Sequence, residues 1–114
     1  MAKIRHIAIR SVDPEATAAF FQQAFGLEVV LRRDYGPIDL SDGEINITLL
    51  PASMGGRDYT PGFEHIGFAV EDEAATREAL AAAGATELNP VVLGGAFFES
   101  KFQAPDGLVV DVGH

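Results

Sequence analysis

The chain of 114 residues contains no cysteine and no tryptophan. Without cysteine there is no disulfide framework, no thiolate nucleophile, and no Cys-ligated zinc or iron–sulfur cluster. Positive charge is scarce as well: eight Lys and Arg stand against 17 Asp and Glu, for a formal net charge of −9. Such a surface repels a polyphosphate backbone and an anionic lipid surface alike, so neither nucleic acid nor membrane is expected as a partner. No apolar run approaches the roughly 18 residues that a membrane span needs, and the N-terminal MAKIRH is not followed by an apolar leader segment. The expectation is a soluble, unprocessed protein of the cytoplasm. Familiar catalytic signatures are missing too: there is no G-x-S-x-G, no Walker phosphate loop, no G-x-G-x-x-G and no H-E-x-x-H. Gly55-Gly56 and Gly94-Gly95 read as loop glycines. What is present fits one domain, residues 1–114.

Within that length the chain repeats itself. Shifted by 59 residues, RHIAIRSVDPEATAAFFQQA (5–24) aligns with EHIGFAVEDEAATREALAAA (64–83), with identities at His6/His65, Ile7/Ile66, Asp13/Asp72, Ala16/Ala75, Thr17/Thr76 and Ala24/Ala83. The same physical grammar recurs in order: an alternating strand, an acidic cap, an Ala-rich amphipathic stretch, and a glycine stop at Gly26 or Gly84. Alternation over 4–10 and 64–70 places Ile7 and Ile9, like Ile66 and Phe68, on one strand face, and His6 and His65 on the other. Asp13 and Asp72 are the expected helix caps, and Pro14 suits the first helical position. The apolar stripes are expected at Phe20, Phe21, Ala24 and Phe25, and at Ala79, Leu80 and Ala83. Short β-rich pieces follow each helix, at 28–33, 38–41 and 45–50, and at about 91–93, 97–103 and 108–113. Asp42-Gly43 and Asp106-Gly107 mark turns before each last strand.

The reading is therefore α+β, with two tandem βαβββ modules: module one 1–50, a Gly- and Pro-rich connection 51–62, and module two 63–114. The connection is expected to be unfolded, or a lid. One helix over a small open sheet buries little and leaves edges bare, so the modules are expected to pair within a chain or by exchange between two, and a homodimer is expected.

The residues that carry chemistry are spread over both modules. His6 and His65 hold equivalent first-strand positions, and Asp111 lies in the last strand, four residues after Gly107. A two-fold arrangement of the modules would bring two imidazoles and a carboxylate to one divalent ion. The neighbours Ala8, Gly67 and Ala69 on the histidine faces are small and leave room for an ion and a ligand. Asp111 shares its face with Val109 and Gly113 while Leu108, Val110 and Val112 point the other way; a carboxylate in so apolar a strand needs a partner. Arg10 shares the His6 face and is a candidate for holding a substrate anion, although an exposed ion pair is the commoner role for such a residue. Phe97, Phe98 and Phe102 are candidates for an aromatic substrate pocket, with core packing the competing role; Tyr35 and Tyr59 lie near loops, and His114 reads as tail.

The segments KIRHIAIRSVDPEATAAFFQQAFGLEVV, FEHIGFAVED and FQAPDGLVVDVGH together resemble the vicinal oxygen chelate superfamily, the glyoxalase, bleomycin-resistance and extradiol dioxygenase group. The resemblance implies paired βαβββ modules forming a cupped mixed sheet around one divalent metal, Fe, Mn, Zn, Ni or Co. It implies His6, His65 and Asp111 as ligands, Asp111 standing where the family usually has Glu. Aligning INITLLPA with the family's fourth ligand strand places Thr48, or less well Asn46, where glyoxalases and epimerases carry Glu or Gln.

A Thr hydroxyl is a poor ligand for these ions and no base near neutral pH. Lyase or isomerase chemistry needs a carboxylate base, for which Glu99 and Glu44 are the nearest candidates. Two His and one carboxylate with open positions is the set expected of non-haem Fe(II) oxygenases. The leading expectation is thus a metal-dependent enzyme acting on a small oxygenated substrate that chelates the ion, closer to a dioxygenase than to a lyase or isomerase. The alternative is a non-catalytic binding protein of the antibiotic-sequestering kind.

Overall fold

The computed structural model describes residues 2–93 and 96–113, without the side chains of 90–93 and 96–98. Gly94, Gly95, His114 and the side chains of Phe97 and Phe98 therefore lie outside the described residues. The elements run β1 (Lys3–Ser11), α1 (Pro14–Phe25), β2 (Glu28–Arg32), β3 (Ile38–Ser41), β4 (Asn46–Pro51), β5 (Ser53–Met54), β6 (Arg57–Asp58), β7 (Gly62–Ala69), α2 (Glu73–Ala82), β8 (Thr86–Leu93), β9 (Ala96–Gln103) and β10 (Val109–Gly113). The repeated βαβββ order expected from the sequence is present. Two compact units divide the chain, His6–Glu64 on one hand and Met1–Arg5 with His65–His114 on the other.

In the first unit the strand order is β2-β3-β4-β1, with β1 parallel to β4 and the other pairs antiparallel. Asp13 accepts from the Ala16 amide, Pro14 fills the first turn, and Gly26 ends α1 in the left-handed region at φ 71°. The helix rests on the sheet through Ala18, which packs with Ile38, Leu40 and Leu49, all nearly or fully inaccessible, and with Phe21, Ile9 and Ile47 around them. The expected stripe is thus shifted: Phe20, Ala24 and Phe25 are exposed. Ala18 and Phe21, three residues apart, share the face that meets the sheet, and the small Ala18 lets the helix come close.

The second unit repeats the order as β8-β9-β10-β7, with β7 parallel to β10. Asp72 accepts from the Ala75 amide, and the chain leaves α2 through Gly84 at φ 92°. Here the core is Val70, Phe102 and Val112, joined by Phe68, Leu80, Ala85 and Val110. No residue of α2 is fully buried, so of the expected stripe only Leu80 reaches the core, and Ala79 and Ala83 remain exposed. β8 is also longer than expected, starting at Thr86, and its register shifts between Leu88 and Val91, around Pro90, which has no amide hydrogen to give to the ladder.

The connection is more ordered than expected. β5 and β6 form a small hairpin turned by Gly55 and Gly56, both at positive φ. It is tied to the first unit by Ala52 N–H to Ser11 O at 2.7 Å and Tyr59 N–H to Ala52 O at 2.6 Å. Among the described residues no helix is long and apolar enough to cross a membrane.

Candidate functional site

Register decides which side chains share a face, because paired residues of neighbouring strands point the same way. In the second unit three rows lie on the face away from α2: His65–Val109–Gln103, then Gly67–Asp111–Lys101, then Ala69–Gly113. Phe102, Val110 and Val112 project to the opposite side, into the core. The structure thus brings together His65 and Asp111 on adjacent strands. His65 Nε2 stands 3.2 Å from Asp111 Oδ2, with side chains 10% and 3% exposed.

The rest of the Asp111 carboxylate is also engaged: Lys101, directly across the antiparallel pair, places Nζ 2.7 Å from Oδ1. The ammonium offsets the cost of a buried carboxylate and fixes its orientation, leaving Oδ2 turned to His65. Sequence reasoning missed Lys101. The signal was there only in the hairpin pairing of 101 with 111, which depends on a turn length no single residue announces.

Glu99 precedes Lys101 by two residues on β9, and so lies on the same face, half-buried. Burial pushes its carboxyl above the usual value; the Asp111 carboxylate adds to this, and His65, Lys101 and Arg5 pull the other way. A carboxyl with a raised proton affinity on the same face as an imidazole is a candidate for proton transfer. Glu44, the other candidate base, is exposed beside the Asp42 turn, where its amide donates to Asp42 Oδ1 at 2.8 Å.

The first unit presents an equivalent face: the rows His6–Asn46–Ser41, Ala8–Thr48–Asp39 and Arg10–Leu50. His6 is half-buried on β1. Thr48 pairs with Ala8, two residues after His6, as Asp111 pairs with Gly67, two residues after His65. The alignment that put Thr48 rather than Asn46 in the place of a carboxylate therefore agrees with the register. Next to Thr48 stands Asp39, 6% exposed, whose Oδ2 accepts from Arg33 Nη2 at 2.7 Å and whose buried Oδ1 has no hydrogen-bond partner among the described residues. Asp39 was also missed from sequence, since its strand is only four residues long and too short to show a period.

For two candidates the structure favours the competing role. Arg10 is not an exposed cation: it is 7% accessible, its guanidinium is ion-paired with Glu64, donates to Pro51 O at 2.8 Å and lies 3.6 Å from the Tyr59 ring centroid. So fully engaged a group ties the connection to β1, the structural role rather than the anion-holding one. Phe102 is a core residue, 4% exposed beside Val70 and Val112, rather than a pocket wall. Tyr35 is exposed, and Tyr59 is spent on Arg10. An open depression of about 300 Å³ between the end of α1 and β2 includes Phe25, Leu27, Val30 and Asp42 and none of these candidates.

The donors present fit a divalent ion. Two ligand atoms each about 2.1 Å from one ion, at angles near 90–110°, stand about 3.0–3.4 Å apart. The 3.2 Å between His65 Nε2 and Asp111 Oδ2 lies in that range, and a ligating carboxylate held by a second hydrogen bond is the usual support of such a site.

Comparison with known proteins agrees with this architecture. The family model described as Glyoxalase/Bleomycin resistance protein/Dioxygenase superfamily matches residues 3–112. No curated protein sequence matches significantly. Among solved structures, a hypothetical protein from Bacillus halodurans C-125 is similar at a TM-score of 0.75 and 19% identity, over 97% of this chain and 92% of that one. A variant of the Streptomyces coelicolor methylmalonyl-CoA epimerase, in complex with 2-nitronate-propionyl-CoA, gives 0.66 and 22%, over 96% and 94%. The 2,3-dioxygenase LapB from Pseudomonas sp. KL28 gives 0.71 and 21%, over 97% of this chain and 40% of that larger one.

Proposed function

Since the chain belongs to the glyoxalase/bleomycin resistance protein/dioxygenase superfamily, we propose that it is a metal-dependent enzyme in which His6, His65 and Asp111 hold one divalent ion. The observation that carries the reading is the buried contact between His65 Nε2 and Asp111 Oδ2, at the spacing of two ligands on one ion. His6 enters by its repeat-equivalent position on the first strand. When bound, the ion supplies a Lewis-acid centre on which two oxygens of a small substrate chelate. The chain's own contribution is to aim the donors. Lys101 takes Asp111 Oδ1 and leaves Oδ2 for the ion, and His65 would turn Nε2 to the same ion.

Two His and one carboxylate leave coordination positions open for substrate and dioxygen, and Thr48 adds no fourth strong ligand. This favours dioxygenase-type chemistry on a catechol-like substrate; the structurally similar LapB is by name a 2,3-dioxygenase. One specific observation favours a second reading. Glu99, with its raised proton affinity on the His65 face, is equipped to take a proton from the carbon beside a substrate carbonyl, as an isomerase or epimerase of the family requires.

Elemental analysis of protein purified anaerobically without chelator, beside a His6→Ala/His65→Ala variant, tests the site. Near-stoichiometric metal in the native protein and its loss from the variant is the expected result. Metal retained by the variant would refute the ligand assignment. No metal in either protein after reconstitution would favour the non-catalytic binding protein. Turnover that persists without oxygen would exclude the dioxygenase and leave proton transfer.

A further inference from the structure

The buried carboxylate of the second unit carries its own counter-ion. Lys101 reaches Asp111 from β9 and holds Oδ1 at 2.7 Å, while His65 reaches it from β7 and places Nε2 3.2 Å from Oδ2. All three residues belong to the second unit. Positive charge is scarce in this chain, eight Lys and Arg within a net charge of −9. Even so, a second cation of the same unit, Arg5, acts on this face beside Lys101, since both lower the proton affinity of Glu99. Glu99 itself is raised above its ordinary value chiefly by burial, which disfavours a second negative charge here. Charge balance then decides what the site takes. Two neutral imidazoles and one carboxylate would leave a divalent ion with one surplus positive charge, and an ammonium on the same carboxylate raises the local surplus to two. Asp111 and Lys101 are only 3% and 23% exposed, so these charges are weakly screened by solvent.

We propose that Lys101 sets the ligand class of this site: by cancelling the charge of Asp111, its ammonium makes the ion select small chelators with two ionised oxygens, a dicarboxylate or an ionised diol, over singly charged ones. The inference rests on the metal-site reading above. It requires no contact between the ligand and Lys101, because the effect passes through the carboxylate that ammonium and ion share. The same charge weakens the hold on the ion itself, since ammonium and dication repel one another. A lysine that only supported Asp111 would do the opposite, and its loss would loosen the ion.

The test uses Zn²⁺ alone and then, on the Zn²⁺-loaded protein, the isosteric chelators oxalate and oxamate, which differ by one negative charge. Affinities are measured by calorimetry at one pH and ionic strength for the native protein, Lys101→Gln and Lys101→Arg. Gln keeps an N–H for Asp111 Oδ1 and loses the charge, whereas Arg keeps both. Lys101→Gln is expected to bind Zn²⁺ roughly tenfold more tightly than the native protein, and its preference for oxalate over oxamate to fall roughly tenfold. Lys101→Arg should match the native protein in both respects. On the native protein, the oxalate-to-oxamate ratio should be no smaller than on Zn²⁺ in water, an arm that depends on no variant folding. Zn²⁺ binding by Lys101→Gln no tighter than native, a ratio that this substitution leaves unchanged, a fall in the ratio that Lys101→Arg shares, a native ratio below that of the aqueous ion, or failure of both chelators to bind would overturn the proposal and leave the metal reading standing. Native protein that binds no Zn²⁺ would refute the metal reading, and the proposal with it.

Discussion

The two halves of the molecule are built on one plan and charged differently. Each has a parallel pair of first and last strands, with the histidine two residues ahead of the position that faces the last strand's functional residue. In the second unit that row reads Gly67–Asp111–Lys101, a carboxylate inside and an ammonium outside. In the first it reads Ala8–Thr48–Asp39, a hydroxyl inside and a carboxylate outside. The comparison teaches that the backbone plan and the chemistry of a duplicated fold separate cleanly. Caps and strand order are kept, while the row nearest the histidine differs in its chemistry from one half to the other.

The sharpest way to break that comparison is to remove the inner residue of each row. Asp111→Ala strips the partner from Lys101 and from His65 in a nearly inaccessible place, and is expected to cost about 3 kcal/mol of stability, measured by urea unfolding. It should also abolish metal binding. Thr48→Ala removes only a half-buried hydroxyl and should cost less than about 1 kcal/mol, with metal content unchanged. Comparable losses at the two positions would mean that the rows do not differ as argued.

The cores differ as much as the rows. Leu40 and Leu49 of the first unit are fully buried under Ala18, whereas α2 buries none of its residues completely and touches its core through Leu80. Leu40→Ala should therefore destabilise by about 3 kcal/mol, and Leu80→Ala by about 1 kcal/mol, since the loss scales with the area buried and the cavity left. Hydrogen exchange should show α2 opening before α1. Equal protection of both helices would contradict the difference in packing.

Much of this was legible in the residues. His6, His65 and Asp111 stood out because the repeat set two histidines in register and Asp111 broke an apolar alternation. Asp13 and Asp72 announced their helices because cap chemistry is local, and both side chains accept the expected amide. Each is expected to contribute about 1 kcal/mol, so Asp13→Ala and Asp72→Ala should lower stability alike if the duplication kept the caps equivalent. What was not legible depends on pairing between strands. Lys101 and Asp39 acquire meaning only from the residues opposite them, Asp111 and Thr48, and that register is set by turns and bulges. The surroundings of Arg10 were hidden for a related reason: its partners lie 41 to 54 residues away, Pro51 and Tyr59 in a connection whose small hairpin has no hydrophobic period and Glu64 on β7. Phe102 went to the core because its strand face is decided by Val110 opposite it, not by its neighbours in sequence.

The smallest expected effect concerns Glu99, and it sharpens the contrast by titration. Its carboxyl is raised above the ordinary 4.5 chiefly by burial, with the Asp111 carboxylate second. The folded state thus holds this proton more tightly than the unfolded chain does. Its contribution to stability is complete below about pH 4.5 and is lost as the pH rises through the raised value in the folded protein. Glu99→Gln, which cannot ionise, should therefore gain in melting temperature relative to the native protein between about pH 5 and 8 and show little advantage near pH 4. Adding a divalent ion should shrink that gain, because a cation on Asp111 cancels the repulsion that helps to raise Glu99. A gain that is the same at every pH would assign the effect to packing and remove Glu99 from the proton-transfer role. A gain that follows the pH window but ignores the ion would keep Glu99 as a titrating group and place the ion elsewhere than on Asp111.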